Sequence, residues 1–407
     1  MRHLISIGII AFSLPVFASQ TDRMAPTQVP EIVNPDSTGF KFTDIKILKT
    51  TPVKDQNKSG TCWSFSATSF LEDDVIRRGG PELDLSEMYA VRNCYIDKAK
   101  KYIRTNGQTN FAQGGAALDV LYVADNYGIV PDEFYSGLNY GEEKHVHGEL
   151  DAVLKAYLDA VKRNPNKKLS TAWLPGFIGI LDAYLGPVPE TFVVNGKTYT
   201  PKSYAQELGI KGDDFISLTS YTHHPFYENF AIEIPDNWLW GESFNVPMED
   251  MKATVDNALE KGFTVCWSAD VSEGGFQWNN GFALLPVPMT GEDLEGTELS
   301  RWVKLSDKDR EAETYKIKGP IKEKKVTQES RQTSFDNYET TDDHGMVIIG
   351  YATDQEGNRY YKVKNSWDTN QVYDGYIYVS EPYFMEKTLS ILVNKDALPK
   401  QLASKIK

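Results

Sequence analysis

Residues 56–65 read Gln-Asn-Lys-Ser-Gly-Thr-Cys-Trp-Ser-Phe, so Cys62 follows a glycine-containing turn. After it, apolar residues recur at helical spacing as far as Gly79-Gly80, which predicts a helix over residues 62–78. Cys62 then lies at the helix N-terminus, where backbone N–H groups and the helix dipole stabilise a negative charge. The thiolate is the nucleophilic form of cysteine. We therefore predict that Cys62 is a catalytic nucleophile.

A base for this nucleophile is predicted at His344, which opens the first strand of a predicted hairpin. The second strand of that hairpin ends at Asn365, whose side-chain amide can accept a hydrogen bond from one ring nitrogen of the histidine. The other ring nitrogen is then directed at the sulfur. Gln56 precedes Cys62 by six residues, and its NH2 group can bind an oxyanion together with the Cys62 backbone N–H.

The remaining pattern indicates that helices come early in the chain and strands come late. Further helices are predicted over residues 85–102, 116–126 and 249–261. Strands are predicted over residues 263–267, 346–351, 359–364, 375–379 and 389–393, with a polar turn at 354–358. This segregation is typical of an α+β protein rather than of alternating βαβ units.

Five blocks of this sequence resemble papain-like cysteine peptidases and occur in that family's order. They are Gln56 with Cys62-Trp63, Leu85-Ser86-Glu87, Gln113-Gly114-Gly115, Asp343-His344-Gly345 and Lys364-Asn365-Ser366-Trp367. The histidine follows the cysteine at far more than the about 130–150 residues of papain-type spacing, which indicates a large central insertion. That layout is similar to the bleomycin hydrolase and aminopeptidase C branch. Lys54-Asp55-Gln56, Asn93-Cys94-Tyr95 and Asn245-Val-Pro-Met248 also resemble this branch.

The resemblance implies a two-lobed fold, with Cys62 on a helical lobe and His344 and Asn365 on a β-rich lobe. It also implies that Gly114 and Gly115 bind the substrate, because the second glycine lets an extended backbone pair with the protein. Trp63 and Trp367 are supporting residues, the latter shielding the His–Asn hydrogen bond from water. The expected divisions are a signal peptide at 1–18, an extended lead-in at 19–45, the helical lobe at 46–140, a mostly helical insertion at 141–248, the β-rich lobe at 249–395 and a short tail at 396–407.

The implied function is a cysteine-type peptidase that takes a peptide substrate, of the aminopeptidase kind found in bleomycin hydrolases. No metal or organic cofactor is expected. In that branch a C-terminal arm enters the cleft, and its carboxylate contacts the free amine of the substrate. The present sequence stops at Lys407, apparently short of such an arm, so an endopeptidase with an open cleft is the alternative. A papain-like acyl transferase and a catalytically silent peptide-binding protein are further alternatives.

Composition and the N-terminus limit location and partners. Asp plus Glu number 57 and Lys plus Arg 43, a net charge of −14 that argues against a nucleic-acid partner. Residues 1–18 have a basic start, a short apolar run and a small-residue cleavage site, which predict export to the periplasm or beyond the cell. No membrane span is expected. Family homologues are often homo-oligomeric, and the sequence leaves the oligomeric state and a Cys94–Cys266 disulfide open.

Overall fold

The computed structural model describes residues 39–406 of the chain. The predicted signal peptide and most of the predicted lead-in therefore lie outside the described residues. The helices are α1 (Cys62–Arg77), α2 (Glu87–Arg104), α3 (Ala117–Asn126), α4 (Gly148–Lys162), α5 (Trp173–Leu185), α6 (Pro201–Glu207), α7 (Met248–Glu260), α8 (Gly296–Trp302), α9 (Asp307–Thr314), α10 (Gln328–Asp336), α11 (Glu381–Lys387) and α12 (Lys400–Ala403). Within this part of the chain, no helix is both long and apolar enough to span a bilayer.

The strands form one large mixed sheet and one small hairpin. They are β1 (Thr43–Ile47), β2 (Phe192–Val194), β3 (Lys197–Tyr199), β4 (Phe215–Thr219), β5 (Asn229–Ala231), β6 (Glu242–Asn245), β7 (Val265–Ala269), β8 (Phe276–Gln277), β9 (Phe282–Ala283), β10 (His344–Thr353), β11 (Arg359–Lys364), β12 (Tyr376–Ser380) and β13 (Thr388–Asn394). The large sheet has the order β5-β6-β4-β13-β7-β10-β11-β12-β9-β8, with β1 also paired to β10. The α+β class predicted from the sequence is confirmed.

Helix α1 is central to the molecule and is buried on nearly every side. Its apolar residues pack into the core shared by α2 to α6, while its acidic residues are buried as well. Glu72 is fully buried, and its carboxylate is paired with the Lys54 ammonium at 3.0 Å. Asp73 accepts hydrogen bonds from Thr50 and from the Thr51 backbone. Pairing of this kind is what allows buried carboxylates to be tolerated, and it fixes α1 to the segment that precedes it.

A second core lies on the sheet. Residues of β7, β10, β11, β12 and β13 pack there against α7 and α11. Helix α1 approaches the start of β10 at Gly345, where an added Cβ atom would lie 2.6 Å from the Ser66 Oγ and 3.4 Å from the Cys62 carbonyl oxygen. The absence of a side chain at Gly345 therefore lets the first turn of α1 sit directly against the strand that begins with His344.

The central segment 141–248 contains more strand than the sequence analysis predicts. Its first part holds α4, α5 and α6, as expected for a mostly helical insertion. Its second part contributes β4, β5 and β6, and β4 pairs with β13 of the main sheet. Strand β4 forms here because the run Phe215–Thr219 is rich in apolar and β-branched residues. The domain boundaries at 140 and 248 stay a prediction.

Candidate active site

Cys62 is the first residue of α1 and lines a cleft with a cavity volume of about 340 Å³. Its Sγ accepts hydrogen bonds from the backbone N–H groups of Gly345 and Trp63, which favour the thiolate. Burial acts in the opposite direction and is the largest influence. The negative charges of Asp342 and Asp236 act in the same direction as burial, and together they raise the pKa of the Cys62 thiol to about 12.

His344 is buried, and its Nε2 is 2.6 Å from the Asn365 side-chain oxygen. The two residues meet because β10 and β11 are antiparallel neighbours, so the start of one strand and the end of the other share an edge. This hydrogen bond assigns the proton to Nε2 and leaves Nδ1 as the nitrogen available to Cys62. Burial lowers the pKa of His344 to about 4, and the hydrogen bond to Asn365 partly opposes that shift.

Both shifts arise mainly from loss of solvent, so each favours the uncharged form of its own group. Proton transfer from Cys62 to His344 creates a negative and a positive charge together in the same cleft. Their mutual attraction opposes the cost of burial, and it is stronger where water is excluded. If the proton passes from Cys62 to His344, the ion pair that results is therefore less costly than independent ionisation of either residue.

Trp367 covers the histidine. The ring centroids of His344 and Trp367 are 4.5 Å apart with an interplanar angle of 32°. Trp278 packs edge-on against the same indole, with centroids 5.3 Å apart. Because these rings lie beside a hydrogen bond between two buried side chains, they limit its competition with water.

Gln56 is buried at the floor of the same cleft and has a fixed orientation. Its side-chain oxygen accepts a hydrogen bond from the Ser366 hydroxyl at 2.7 Å. Its Nε2 donates to the Ser59 carbonyl oxygen at 2.8 Å. An amide NH2 carries two protons, so one N–H remains for a ligand in the cleft. The contacts of Ser59 and Ser366 were not predicted from the sequence, although Ser366 is the residue after Asn365.

Gly114 and Gly115 form the opposite wall with Trp63. A Cβ atom at Gly115 would lie 2.9 Å from the Trp63 ring, and one at Gly114 would lie 1.8 Å from the Asp236 Oδ2. A side chain at Gly115 would therefore clash with the Trp63 ring, and one at Gly114 would require the Asp236 carboxylate to move. The Trp63 indole N–H donates to the Gln113 carbonyl oxygen at 3.0 Å, which holds the ring against this wall.

The structure thus places the predicted site residues at one location. Gln56, Cys62, Trp63, Gly114, Gly115 and His344 line the cleft, while Asn365 and Trp367 contact His344. Their catalytic and binding roles stay predictions. The cleft carboxylates Asp151, Asp236 and Asp342 were not predicted. Asp342 could have been noticed from its place two residues before His344, whereas nothing in the sequence connects Asp236 with the cleft.

The other thiols and the possible metal ligands lie elsewhere. Cys94 and Cys266 are both buried and free. Among the described residues, His223, His224 and Glu233 present ligand atoms within 4.8 Å of one another, but none of them lines the cleft. A second group contains Glu72, Asp84 and Glu87, and the Lys54 ammonium is paired with all three carboxylates.

Comparison with protein families covers both walls of the cleft. Residues 40–172 match the papain family of cysteine proteases, and residues 296–407 match the peptidase C1-like family. The first match contains Cys62 and the second contains His344 and Asn365. The chain belongs to the papain-like cysteine peptidases. The fold class and the enzyme class implied by the sequence motifs are thereby confirmed.

Sequence similarity to known proteins also extends across the central segment. Aminopeptidase C of Lactococcus lactis subsp. cremoris is 23% identical over 390 residues, covering 86% of this chain and 82% of the relative. Aminopeptidase G of Lactobacillus delbrueckii subsp. lactis is 24% identical over 396 residues, covering 87% and 83%. Mitochondrial cysteine proteinase 1 of Saccharomyces cerevisiae (strain JAY291) is 21% identical over 420 residues, covering 89% and 79%.

A solved structure shares the fold. The crystal structure of PepW from Lactobacillus rhamnosis HN001 superimposes with a TM-score of 0.67 at 19% sequence identity, covering 92% of this chain and 86% of that one. The papain-like fold of this chain thus includes the central segment as well as the two parts that carry the motifs.

Proposed function

We propose that this chain is a cysteine peptidase of the aminopeptidase type, which removes residues from the free N-terminus of peptides. The observation that carries the proposal is the Nε2–Oδ1 hydrogen bond of 2.6 Å between His344 and Asn365, in a cleft that also contains Cys62 at the start of α1. The similarity to aminopeptidases C and G across more than 80% of their length supports the aminopeptidase type.

In the first half of the reaction, His344 accepts the Cys62 proton at Nδ1 and the thiolate attacks the carbonyl carbon of the scissile bond. The carbonyl oxygen becomes an oxyanion, which accepts hydrogen bonds from the free N–H of Gln56 and from the Cys62 backbone N–H. His344 then donates its proton to the leaving amine, and the C–N bond breaks to give a thioester on Cys62.

In the second half, His344 removes a proton from water, and the resulting nucleophile attacks the thioester carbonyl. The C–S bond breaks and the proton returns to the sulfur, which restores the starting site. Asn365 keeps its hydrogen bond to Nε2 throughout, so the ring presents the same nitrogen to each proton transfer. An amine in place of water would give acyl transfer with the same residues.

The test compares two fluorogenic peptides that differ only in a free or an acetylated N-terminus, with Cys62→Ala as the inactive control. We expect hydrolysis of the free-amine peptide and little hydrolysis of the acetylated one. Equal or faster cleavage of the acetylated peptide would contradict the aminopeptidase type and indicate an endopeptidase. Cleavage of neither peptide across a varied panel would contradict peptidase function, and product analysis with added amines would then test acyl transfer.

We propose separately that residues 1–18 direct export to the periplasm or the extracellular space. The support is the sequence pattern of a basic start at Arg2, an apolar run of moderate length and a small residue at Ala18. Mass spectrometry of the protein recovered from its own cells would measure the mature N-terminus. We expect it at Ser19 in the exported fraction, and an intact Met1 in a cytoplasmic fraction would contradict export.

A further inference from the structure

The cleft contains carboxylates that have no part in the proposed reaction, and two of them act on the Cys62 thiol. Asp236 and Asp342 line the same cavity as Cys62 and His344. Both negative charges raise the pKa of the Cys62 thiol and so oppose formation of the nucleophile. These charges therefore make the Cys62 thiolate harder to form, and a positively charged ligand in the same cleft would offset that effect.

Asp342 has no partner of its own. Its neighbour Asp343 accepts hydrogen bonds from the Thr341 hydroxyl at 2.9 Å and from the Val271 backbone N–H at 3.3 Å. No residue between 39 and 406 donates a hydrogen bond to the Asp342 carboxylate or forms an ion pair with it. Burial raises the pKa of the Asp342 carboxyl well above its usual range, and the charges of Asp236 and Asp343 raise it further. A buried carboxylate without a partner is costly as an anion, so it either takes up a proton or pairs with a cation that enters the cleft.

Asp236 faces the same space from the other wall. Its Oδ1 accepts a hydrogen bond from the Asn110 side chain at 3.1 Å, and its Oδ2 lies against Gly114 without a hydrogen-bond partner among the described residues. Burial raises the pKa of the Asp236 carboxyl, the charge of the Lys98 ammonium acts to lower it, and this ammonium donates to the carbonyl oxygens of Ala112 and Gly114. Lys98 thus offsets part of the charge of Asp236 while its own hydrogen bonds hold it at the wall.

We propose that Asp236 and Asp342 form a binding subsite for a cationic group of the peptide, on the Gly114 side of Cys62. This inference rests on the proposed peptidase function and names the feature of the substrate that the cleft recognises. An ammonium group has three N–H donors, and two carboxylates with partly unused oxygens can accept from it. Asp236 touches Gly114, one of the two glycines beside which the family resemblance places the substrate backbone.

Two parts of a peptide carry this chemistry. One is the α-ammonium of a free N-terminus, which is the cation closest to the first peptide bond and accounts for an aminopeptidase. The other is the side chain of a Lys or Arg that is the second residue before the cleaved bond, which would suit an endopeptidase. The same two carboxylates would bind either cation. Substrates that carry only one of the two cations are therefore needed to distinguish them.

The experiment measures kcat/KM on four aminomethylcoumarin amides. They are leucine with a free amine, acetyl-leucine, acetyl-lysyl-leucine and acetyl-norleucyl-leucine. Asp342→Asn should lower kcat/KM for the free-amine substrate by about 10- to 100-fold, mainly through KM, because a charge-assisted contact is lost. The same variant should leave acetyl-leucine unchanged or faster, since removal of the charge makes the Cys62 thiolate easier to form. Asp236→Asn should likewise lower kcat/KM for the free-amine substrate and leave kcat/KM for acetyl-leucine unchanged or higher.

Asp343→Asn is the matched control. It removes the same charge one residue away, but from a carboxylate that already has two hydrogen-bond donors. The ratio of free-amine to acetylated hydrolysis should change by less than about 3-fold in this variant. An equal change of this ratio in Asp343→Asn and Asp342→Asn would overturn the assignment. A preference for acetyl-lysyl over acetyl-norleucyl substrate that is lost in Asp342→Asn would support the subsite and assign it to a side-chain cation.

A binding measurement separates this proposal from the peptidase proposal. Calorimetry on full-length Cys62→Ala would compare leucyl-leucine with acetyl-leucyl-leucine, with and without Asp342→Asn. Tighter binding of the free-amine peptide that depends on Asp342 supports the subsite even if the wild-type protein hydrolyses nothing. Equal binding of the two peptides, or a free-amine preference that survives Asp342→Asn, overturns the subsite even if hydrolysis is observed.

Discussion

Two regions of the cleft differ in burial and in charge. On the strand side, His344 is 4% exposed and Asn365 is 2% exposed, and Trp367 covers the contact between them. Around Cys62, which is partly exposed, the negative charges of Asp236 and Asp342 act on the thiol from both walls. The proposed proton acceptor is thus shielded from water and fixed by a hydrogen bond, whereas the two carboxylates line the cavity that a ligand would enter.

Replacement of the nucleophile should have the largest effect and would test whether the helix-side wall carries the chemistry. Cys62→Ala should lower kcat by about 10⁴-fold or more, since no other group can form the thioester. Peptide hydrolysis and a thermal unfolding scan are the measurements. Cys94→Ala is the control, because that thiol is buried and outside the cleft. Retained activity in Cys62→Ala would exclude this nucleophile.

The next comparison is made within the strand-side wall. His344→Ala should lower kcat about as much as loss of Cys62, because both proton transfers are lost. Asn365→Ala should lower kcat by about 10²-fold, since the ring remains but its proton and orientation are no longer fixed. Steady-state kinetics of the two variants provide the measurement. Equal losses would show that Asn365 does more than position the ring.

Replacement of Gln56 should have a smaller effect and would test its role as a donor to the oxyanion. Gln56→Ala should lower kcat by about 10²-fold with little change in KM, because the donor acts on the oxyanion and not on the ground-state carbonyl. Ser366→Ala should cost less, since it removes only the hydrogen bond that orients the Gln56 amide. Kinetics on one substrate compare the variants. An unchanged kcat in Gln56→Ala would remove this residue from the site.

The smallest predicted effect is a shift in the pH dependence of Cys62 reactivity. The charge of Asp342 raises the pKa of the thiol, so Asp342→Asn should lower that pKa. Deprotonation would then occur at lower pH, and the rate of iodoacetamide alkylation should rise at lower pH than in the wild type. Mass spectrometry of timed samples measures this rate. An unchanged or opposite shift would contradict the electrostatic contact between the two walls.

Local signals were enough to predict most elements that carry the site. The apolar spacing and Gly79-Gly80 predicted α1 to within one residue at its end. The hairpin turn at 354–358 was predicted from its polar residues, and Asp354 accepts hydrogen bonds from the Glu356 and Asn358 backbones there. These features depend on neighbours in sequence, so one sequence is sufficient to detect them.

Features that depend on distant packing were not predicted. The strands β4 to β6 have only three to five residues each, and β4 is a strand because it pairs with β13 near the end of the chain. Asp236 enters the cleft through contact with Gly114, which no local pattern indicates. The motifs predicted which candidate site residues meet, whereas the charges that surround them became visible only with the fold.

The proposed role of Cys62 is tested most directly by alkylation of the wild-type protein with limited iodoacetamide, with activity and the site of modification followed together. We predict that Cys62 is modified before the buried Cys94 and Cys266, and that activity falls in proportion to its modification. We also predict slower modification of Cys62 in His344→Ala, because the base for thiolate formation is missing. Full modification of Cys62 with activity retained would exclude Cys62 as the nucleophile.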